Sequence, residues 1–160
     1  MRTTLLAILV VSGLRLGAET YAGSAYGFFT GGACQHGYAL YGGGGGVEGF
    51  VWKGLSVGAD AAQQKFVDDR RTFGMTLLSL PVGFHFVDRN KPLKWDPFVS
   101  VAPLGIVAWQ GGASYHANLG GGVTYWFTGR LGLRAEFRAH AIGYDELTSQ
   151  ARIGITFRLH

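Results

Sequence analysis

The sequence predicts an all-β fold, an eight-stranded antiparallel up-and-down barrel that crosses a membrane with its strands. Three observations predict it. The stretch LGLRAEFRAH, Leu131 to His140, alternates Leu131, Leu133, Ala135, Phe137 and Ala139 with Arg134, Glu136, Arg138 and His140. That period of two is a strand with one apolar and one polar face. The 160 residues include 27 glycines and 14% aromatics but only 15% charged residues, whereas soluble domains average ~25% charged and ~7% glycine. Turn signals then cut the chain into an even number of strand-like runs, as closure requires when both chain ends leave from one rim.

The chain opens with an export signal. Met1-Arg2-Thr3-Thr4 is a short positive segment, and LLAILVVSGL, Leu5 to Leu14, is an apolar run. It is too short for a membrane-spanning helix, which takes ~20 residues. Residues 1–18 read as a signal peptide cut after Ala18, and residues 19–160 as the barrel domain. Cleavage removes Arg2 and Arg15, lowering the formal charge from +4 to +2. No Lys/Arg stripe remains to suggest a nucleic-acid partner. The single cysteine, Cys34, has no internal partner for a disulfide. GGAC before it lies too far past the apolar run to serve as a lipoprotein box.

Strands are expected at about 20–30, 37–52, 54–63, 71–87, 97–109, 114–127, 130–142 and 150–159, bounded by Gly, Asn, Asp and Ser clusters. On one rim lie the tight turns Trp52-Lys53-Gly54-Leu55 and Phe127-Thr128-Gly129-Arg130, with the longer Val87–Asp96 connection. The other rim carries Thr30–His36, Gln64–Arg71, Gln110–Ser114 and Gly143–Gln150. Aromatics gather at the first rim: Phe50, Trp52, Phe84, Phe86, Trp95, Phe98, Tyr125, Trp126, Phe127 and Phe157. A ring of aromatics at one level is the interfacial girdle of a membrane barrel.

The faces agree from strand to strand. Leu55, Val57, Ala59 and Ala61 oppose Ser56, Gly58 and Asp60, while Leu78, Leu80, Val82, Phe84 and Phe86 oppose Ser79, Pro81, Gly83 and His85. Ala117, Leu119, Val123, Tyr125 and Phe127 oppose His116, Asn118, Gly120, Gly122 and Thr124. Ile153, Ile155, Phe157 and Leu159 oppose Arg152, Gly154, Thr156 and Arg158. The polar face is too glycine-rich to solubilise a surface, yet small enough for a narrow lumen. Charges there are tolerable only if Glu48, Asp60 and Glu136 pair with Arg134, Arg138, Arg152 and Arg158. The pentaglycine Gly42 to Gly46 lets strands approach closely, as a narrow barrel demands.

GGGVEG, Gly44 to Gly49, has the form G-x-G-x-x-G, but Phe50-Val51-Trp52 and a tight turn follow it instead of the helix that a dinucleotide fingerprint needs. The histidines His36, His85, His116, His140 and His160 are too scattered for a local metal motif. No catalytic, cofactor-binding or metal-binding residue is assigned.

The stretches GGGGGVEGFVWKGLSVGADA (Gly42 to Ala61), NLGGGVTYWFTGRLGLRAEFRAH (Asn118 to His140) and RIGITFRL (Arg152 to Leu159) resemble hairpins and the closing strand of small bacterial outer-membrane β-barrels of the OmpA and OmpW types. The resemblance spans the mature chain and specifies a barrel type, not an activity. It implies a place in the cell outer membrane, with outer-membrane lipid and the barrel-assembly machinery as partners. The closing strand of that family commonly ends in an aromatic residue, whereas here Arg158-Leu159-His160 follow Phe157. The peptidoglycan-binding domain that OmpA-type proteins often append is not expected here. Lipid A deacylases on this scaffold carry a His-x-Ser-Asn stretch with a downstream acid. The nearest stretches, SYHANLG and AHAIGYDE, lack the hydroxyl nucleophile.

The expected function is that of a non-catalytic integral outer-membrane barrel, structural or surface-interacting, with a lumen closed by ion pairs. One alternative is a narrow conduit for small apolar molecules, as OmpW-type barrels suggest, with inner-face glycines leaving room for the ligand. A second is a secreted soluble barrel that binds a ligand.

Overall fold

The computed structural model describes residues 22–35, 37–67, 72–87, 94–143 and 146–159. The segment read as a signal peptide, residues 1–18, lies outside the described residues. The strands are β1 (Gly23–Cys34), β2 (Ala39–Trp52), β3 (Leu55–Val67), β4 (Thr72–Ser79), β5 (Val82–His85), β6 (Trp95–Trp109), β7 (Gly112–Trp126), β8 (Leu131–Ile142) and β9 (Glu146–Leu159). All pairings are antiparallel; β1 pairs with β9 and β2 with β3, which closes the sheet.

β4 and β5 are two halves of one stave, because β3 and β6 each pair with both. The sequence reads as one strand there. The ladder breaks at Leu80–Pro81, where Pro81 has no N–H to give, although its carbonyl still accepts from Gly58 N at 2.8 Å. The result is a closed barrel of eight staves with both described chain ends at one rim.

Exposure answers which face looks inward. Glu136 and Arg138 are 6% and 0% exposed, while Phe137 between them is 57% exposed. Leu119, Ile153, Ile155 and Phe157 are likewise on the outside, and Thr124, Arg152 and Thr156 inside. A soluble carrier would need the reverse. Hydrocarbon suits this exterior, since the described strands close on one another and the outward side chains between the girdles are mostly apolar, with the exposed Gln63 donating to Thr76 Oγ1 at 2.6 Å.

Two aromatic girdles bound that band. At the rim of the tight turns lie Trp52, Phe84, Phe86, Trp95, Phe127 and Phe157, all exposed. Trp95 packs on Tyr125 at 4.7 Å between ring centroids, and Tyr125 on Phe127 at 5.3 Å. Tyr41, Phe73, Trp109 and Tyr115 form an exposed belt near the opposite rim. From Tyr41 to Trp52 along β2, ~3.4 Å per residue and a tilt of about 40° give ~28 Å of height, close to the ~25 Å apolar band of outer-membrane barrels.

Three residues expected in the girdle point inward instead: Phe50, Phe98 and Trp126 are buried. Parity explains Phe98 and Trp126, which share a face with Asp96 and Thr124. Phe50 and Trp52 have the same parity but part company at a bulge, because Phe50 pairs with Ser56 and Trp52 with Leu55. The extra residue turns Val51 and Trp52 both outward. A second bulge between Ala102 and Gly105 of β6 does the same for Pro103 and Leu104.

Strands also run further toward the second rim than expected. β1 continues to Cys34, β3 to Val67, and β9 begins at Glu146. The polar residues Gln64, Thr148 and Gln150 look like loop in a sequence, yet all three are buried and face the lumen. The Trp52–Leu55 turn is tight as expected, with Gly54 at φ 96°, whereas the Gln110–Ser114 connection, expected to be longer, narrows to Gln110 and Gly111 with Gly111 at φ 107°. Both glycines occupy the left-handed region that glycine enters without strain.

Candidate functional site

Among the described residues, the buried polar and charged side chains gather in the lumen, layered along the barrel axis. Lowest, toward the tight-turn rim, Glu48 of β2 accepts from Arg134 Nη1 of β8 at 2.9 Å and from Ser24 Oγ of β1 at 2.6 Å. His85 Nδ1 of β5 lies 2.8 Å from Asp96 Oδ1 of β6, and its Nε2 lies 3.5 Å from Glu48 Oε2. The Arg134 guanidinium is sandwiched between Phe98 at 3.9 Å and Tyr26 at 4.5 Å. Planar cations stack on such rings while their edges hydrogen-bond.

The middle layer is a four-member ionic cluster. Arg138 of β8 donates through Nη1 to Asp60 Oδ2 of β3 and through Nε to Glu136 Oε1, each at 2.6 Å. Glu136 also lies 3.7 Å from Arg134 and accepts from Ser100 Oγ at 3.3 Å. Arg152 of β9 lies 3.7 Å from Asp60 and 4.4 Å over the Phe28 ring. Asp60 and Arg138 sit on strands separated by β4, β6 and β7 one way round, so their contact crosses the lumen. Both Arg138 and Asp60 have side chains at most 1% exposed.

Three of the four expected arginines therefore meet the three expected carboxylates. Arg158 does not join that cluster. It lies over the Trp126 ring at 4.0 Å and donates to Gly129 O at 3.3 Å, at the tight-turn mouth. His85 and Asp96 join the network unforeseen; their inward parity with Gly83 and Phe98 was the available signal.

Above the ions the lumen turns neutral. Gln64 and Gln150 exchange amide hydrogen bonds at 2.8 and 3.2 Å, and Thr30 Oγ1 donates to Gln150 Oε1 at 3.2 Å. The His116 and His140 rings stack at 5.5 Å. His116 Nε2 reaches Leu78 O at 3.1 Å, over Gly105, where a side chain would collide with the ring. His36 and His160 lie outside the described residues.

Nearest the second rim the lumen is apolar. Cys34, Leu40 and Phe66 cluster, as do Leu77, Val107 and Ile142, and Met75 packs against both groups. This layer contradicts the expectation that the inner face is polar throughout. Its residues are again in phase with polar neighbours, Phe66 with Gln64 and Leu40 with Glu48.

The inner-face glycines do not open a void. A Cβ at Gly46 would fall 2.7 Å from the Tyr26 ring, one at Gly44 2.9 Å from Phe28, and one at Gly122 3.0 Å from Phe98. Rings from neighbouring staves occupy the space that glycine leaves. The same placement disposes of GGGVEG as a phosphate loop, because Gly44 to Gly49 are strand residues inside β2.

No family model matches the sequence and no curated protein matches it significantly, so likeness is structural. The chain is similar to the N-terminal β-barrel domain of Pseudomonas aeruginosa OprF, with TM-score 0.63 and 20% identity over 88% of this chain and 100% of that one. Neisserial surface protein A matches with TM-score 0.68 and 14% identity over 90% of this chain and 100% of that one. PagL, described as an outer membrane enzyme, matches with TM-score 0.66 and 13% identity over 81% of this chain and 97% of that one. Shape, closure and an apolar exterior together give this chain the fold of a small bacterial outer-membrane β-barrel.

Proposed function

We propose that the chain is an integral outer-membrane barrel without catalysis, structural or surface-interacting in role, whose lumen is closed by its own side chains. The observation that carries this reading is Arg138, fully buried and bonded at 2.6 Å to carboxylates on two sides. Buried charges are stable only when paired in this way, and a pair that spans the lumen obstructs it. Eight staves already leave an interior that side chains can fill. The apolar layer at Leu40, Phe66 and Leu77 adds a second barrier above the ions.

The same fold carries an outer membrane enzyme, so the non-catalytic reading rests on residues. His116 Nε2 lies 3.1 Å from the Leu78 carbonyl and 3.4 Å from Ser79 Oγ. That hydroxyl is buried and accepts from Asn118 Nδ2 at 3.3 Å, and Asn118 and Ile142 stand where the His-x-Ser-Asn stretch has its serine. The conduit alternative drew on glycines as open space, and rings stand over those glycines. Lipid and the barrel-assembly machinery are the proposed partners.

Planar-bilayer recording tests the reading. The wild-type barrel is expected to give no steady conductance, and a double variant, Arg138→Ala with Asp60→Ala, is expected to give small, flickering openings. A stable ohmic channel from the wild type would overturn the closed lumen.

A further inference from the structure

The outer wall is not evenly padded. One register line crosses five staves: Gly45 pairs with Ala61, Ala61 with Leu78, Leu78 with Ile106, and Ile106 with Tyr115. At the β2–β3 end this line has no side chain at Gly45 and a methyl at Ala61, with Ala59 beside it. At the other end Ile106, Leu104 and Tyr115 stand proud, with Leu104 68% and Tyr115 78% exposed. Leu104 is turned outward by the bulge between Ala102 and Gly105, opposite the interruption at Leu80–Pro81. Between the thin and the thick ends runs a groove of about 720 Å³ with apolar sides.

We propose that this groove holds one acyl chain of a membrane lipid, entering from the leaflet on the Tyr115 side; the proposal rests on the transmembrane reading of the barrel. Length fits: four inter-strand spacings of ~4.8 Å make ~19 Å, enough for a chain that fills its half of a ~30 Å hydrocarbon core. Direction follows from position, since Tyr115 is the fourth residue of β7 from the second rim and Gly45 is midway along β2. The chain descends from the Tyr115 belt to mid-membrane across the strands. The groove is continuous with the lipid-facing surface on both sides, so the occupant comes from the bilayer. Seated there, it covers the stretch of wall where Gly45 leaves only backbone, and Ala59 and Ala61 only methyls, between hydrocarbon and the lumenal residues Asp60 and Ser79.

The test uses the folded barrel in vesicles of palmitoyl-oleoyl phosphatidylethanolamine and phosphatidylglycerol, extracted into mild detergent and weighed by native mass spectrometry. Wild type is expected to retain one phospholipid, and Ala59→Leu with Ala61→Leu, which fills the groove from outside, to lower that retained population at least tenfold. Heat-modifiable migration on a gel shows that each variant is folded. Should the filled variant fail to fold, Tyr115→Ala, which removes one wall, is to release the lipid instead. Equal retention by folded wild type and variant, or no retention by wild type, would overturn the groove assignment. A mature chain that folds as a monomer in detergent-free buffer would overturn the transmembrane reading itself, and shows before any lipid is counted.

Discussion

The two ends of the lumen solve one problem with opposite chemistry. Toward the tight-turn rim, Arg134, His85, Asp96, Asp60, Arg138 and Glu136 are buried and, with the partly buried Glu48, held by ion pairs across the barrel. Toward the second rim, Cys34, Leu40, Phe66, Leu77, Val107 and Ile142 pack as an ordinary core. The first is high-stakes, because each charge depends on its partners and a lone buried charge is costly. The second is forgiving, because apolar contacts are non-directional and a neighbour can shift into a gap. Register is better specified by the first kind. A slip of one residue would push Arg134, Glu136 and Arg138 into hydrocarbon, whereas Leu40 or Ile142 would be at home on either face.

Single substitutions sharpen this contrast. The largest loss is expected for Glu136→Ala, which strips Arg138 Nε of its 2.6 Å acceptor and Arg134 of a carboxylate. Removing one member of a buried pair costs about 3–5 kcal/mol, to be read as a lower urea midpoint in detergent micelles. An unchanged midpoint would sink the ionic account of the lumen. Leu77→Ala in the apolar layer should cost about 2–4 kcal/mol through the cavity it leaves. Because the layer can relax, Leu77→Met should cost less than about 1.5 kcal/mol, and an equal loss in both variants would contradict a forgiving core.

Ile153→Arg probes the outside of the same staves. Ile153 is 54% exposed at mid-strand, and a cation there should cost about 2–4 kcal/mol, measured by refolding into vesicles. A soluble exterior would show no loss. A loss smaller than that of Leu77→Ala is expected at Gln150→Leu, which takes from the Gln64 amide its partner and from the Thr30 hydroxyl one of its two acceptors, at about 1–3 kcal/mol. A loss exceeding that of Glu136→Ala would move the specifying centre from the ions to the amides.

Much of the site was legible. Strict alternation in Leu131 to His140 put Arg134, Glu136 and Arg138 on one face, and parity in β3 put Asp60 with Ser56. Because a barrel has one small interior, charges sharing the inner face had to meet. Phe98 and Trp126 differ from expectation because apolar type points them outward, although their parity with Asp96 and Thr124 points inward, and Phe66 lies in the Gln64–Arg71 stretch that reads as a rim connection. Trp52 could not be placed by parity at all, since a bulge changes the phase without leaving a sequence mark of its own.

By itself the sequence determined the number of staves, the inward side of most of them and the set of groups able to neutralise one another, because pleat period and composition act locally. Only the tertiary structure decided which arginine meets which carboxylate, which rings cover the glycines and where the wall is thin. Those depend on stagger between staves distant in the chain, and stagger is settled when the sheet closes on itself.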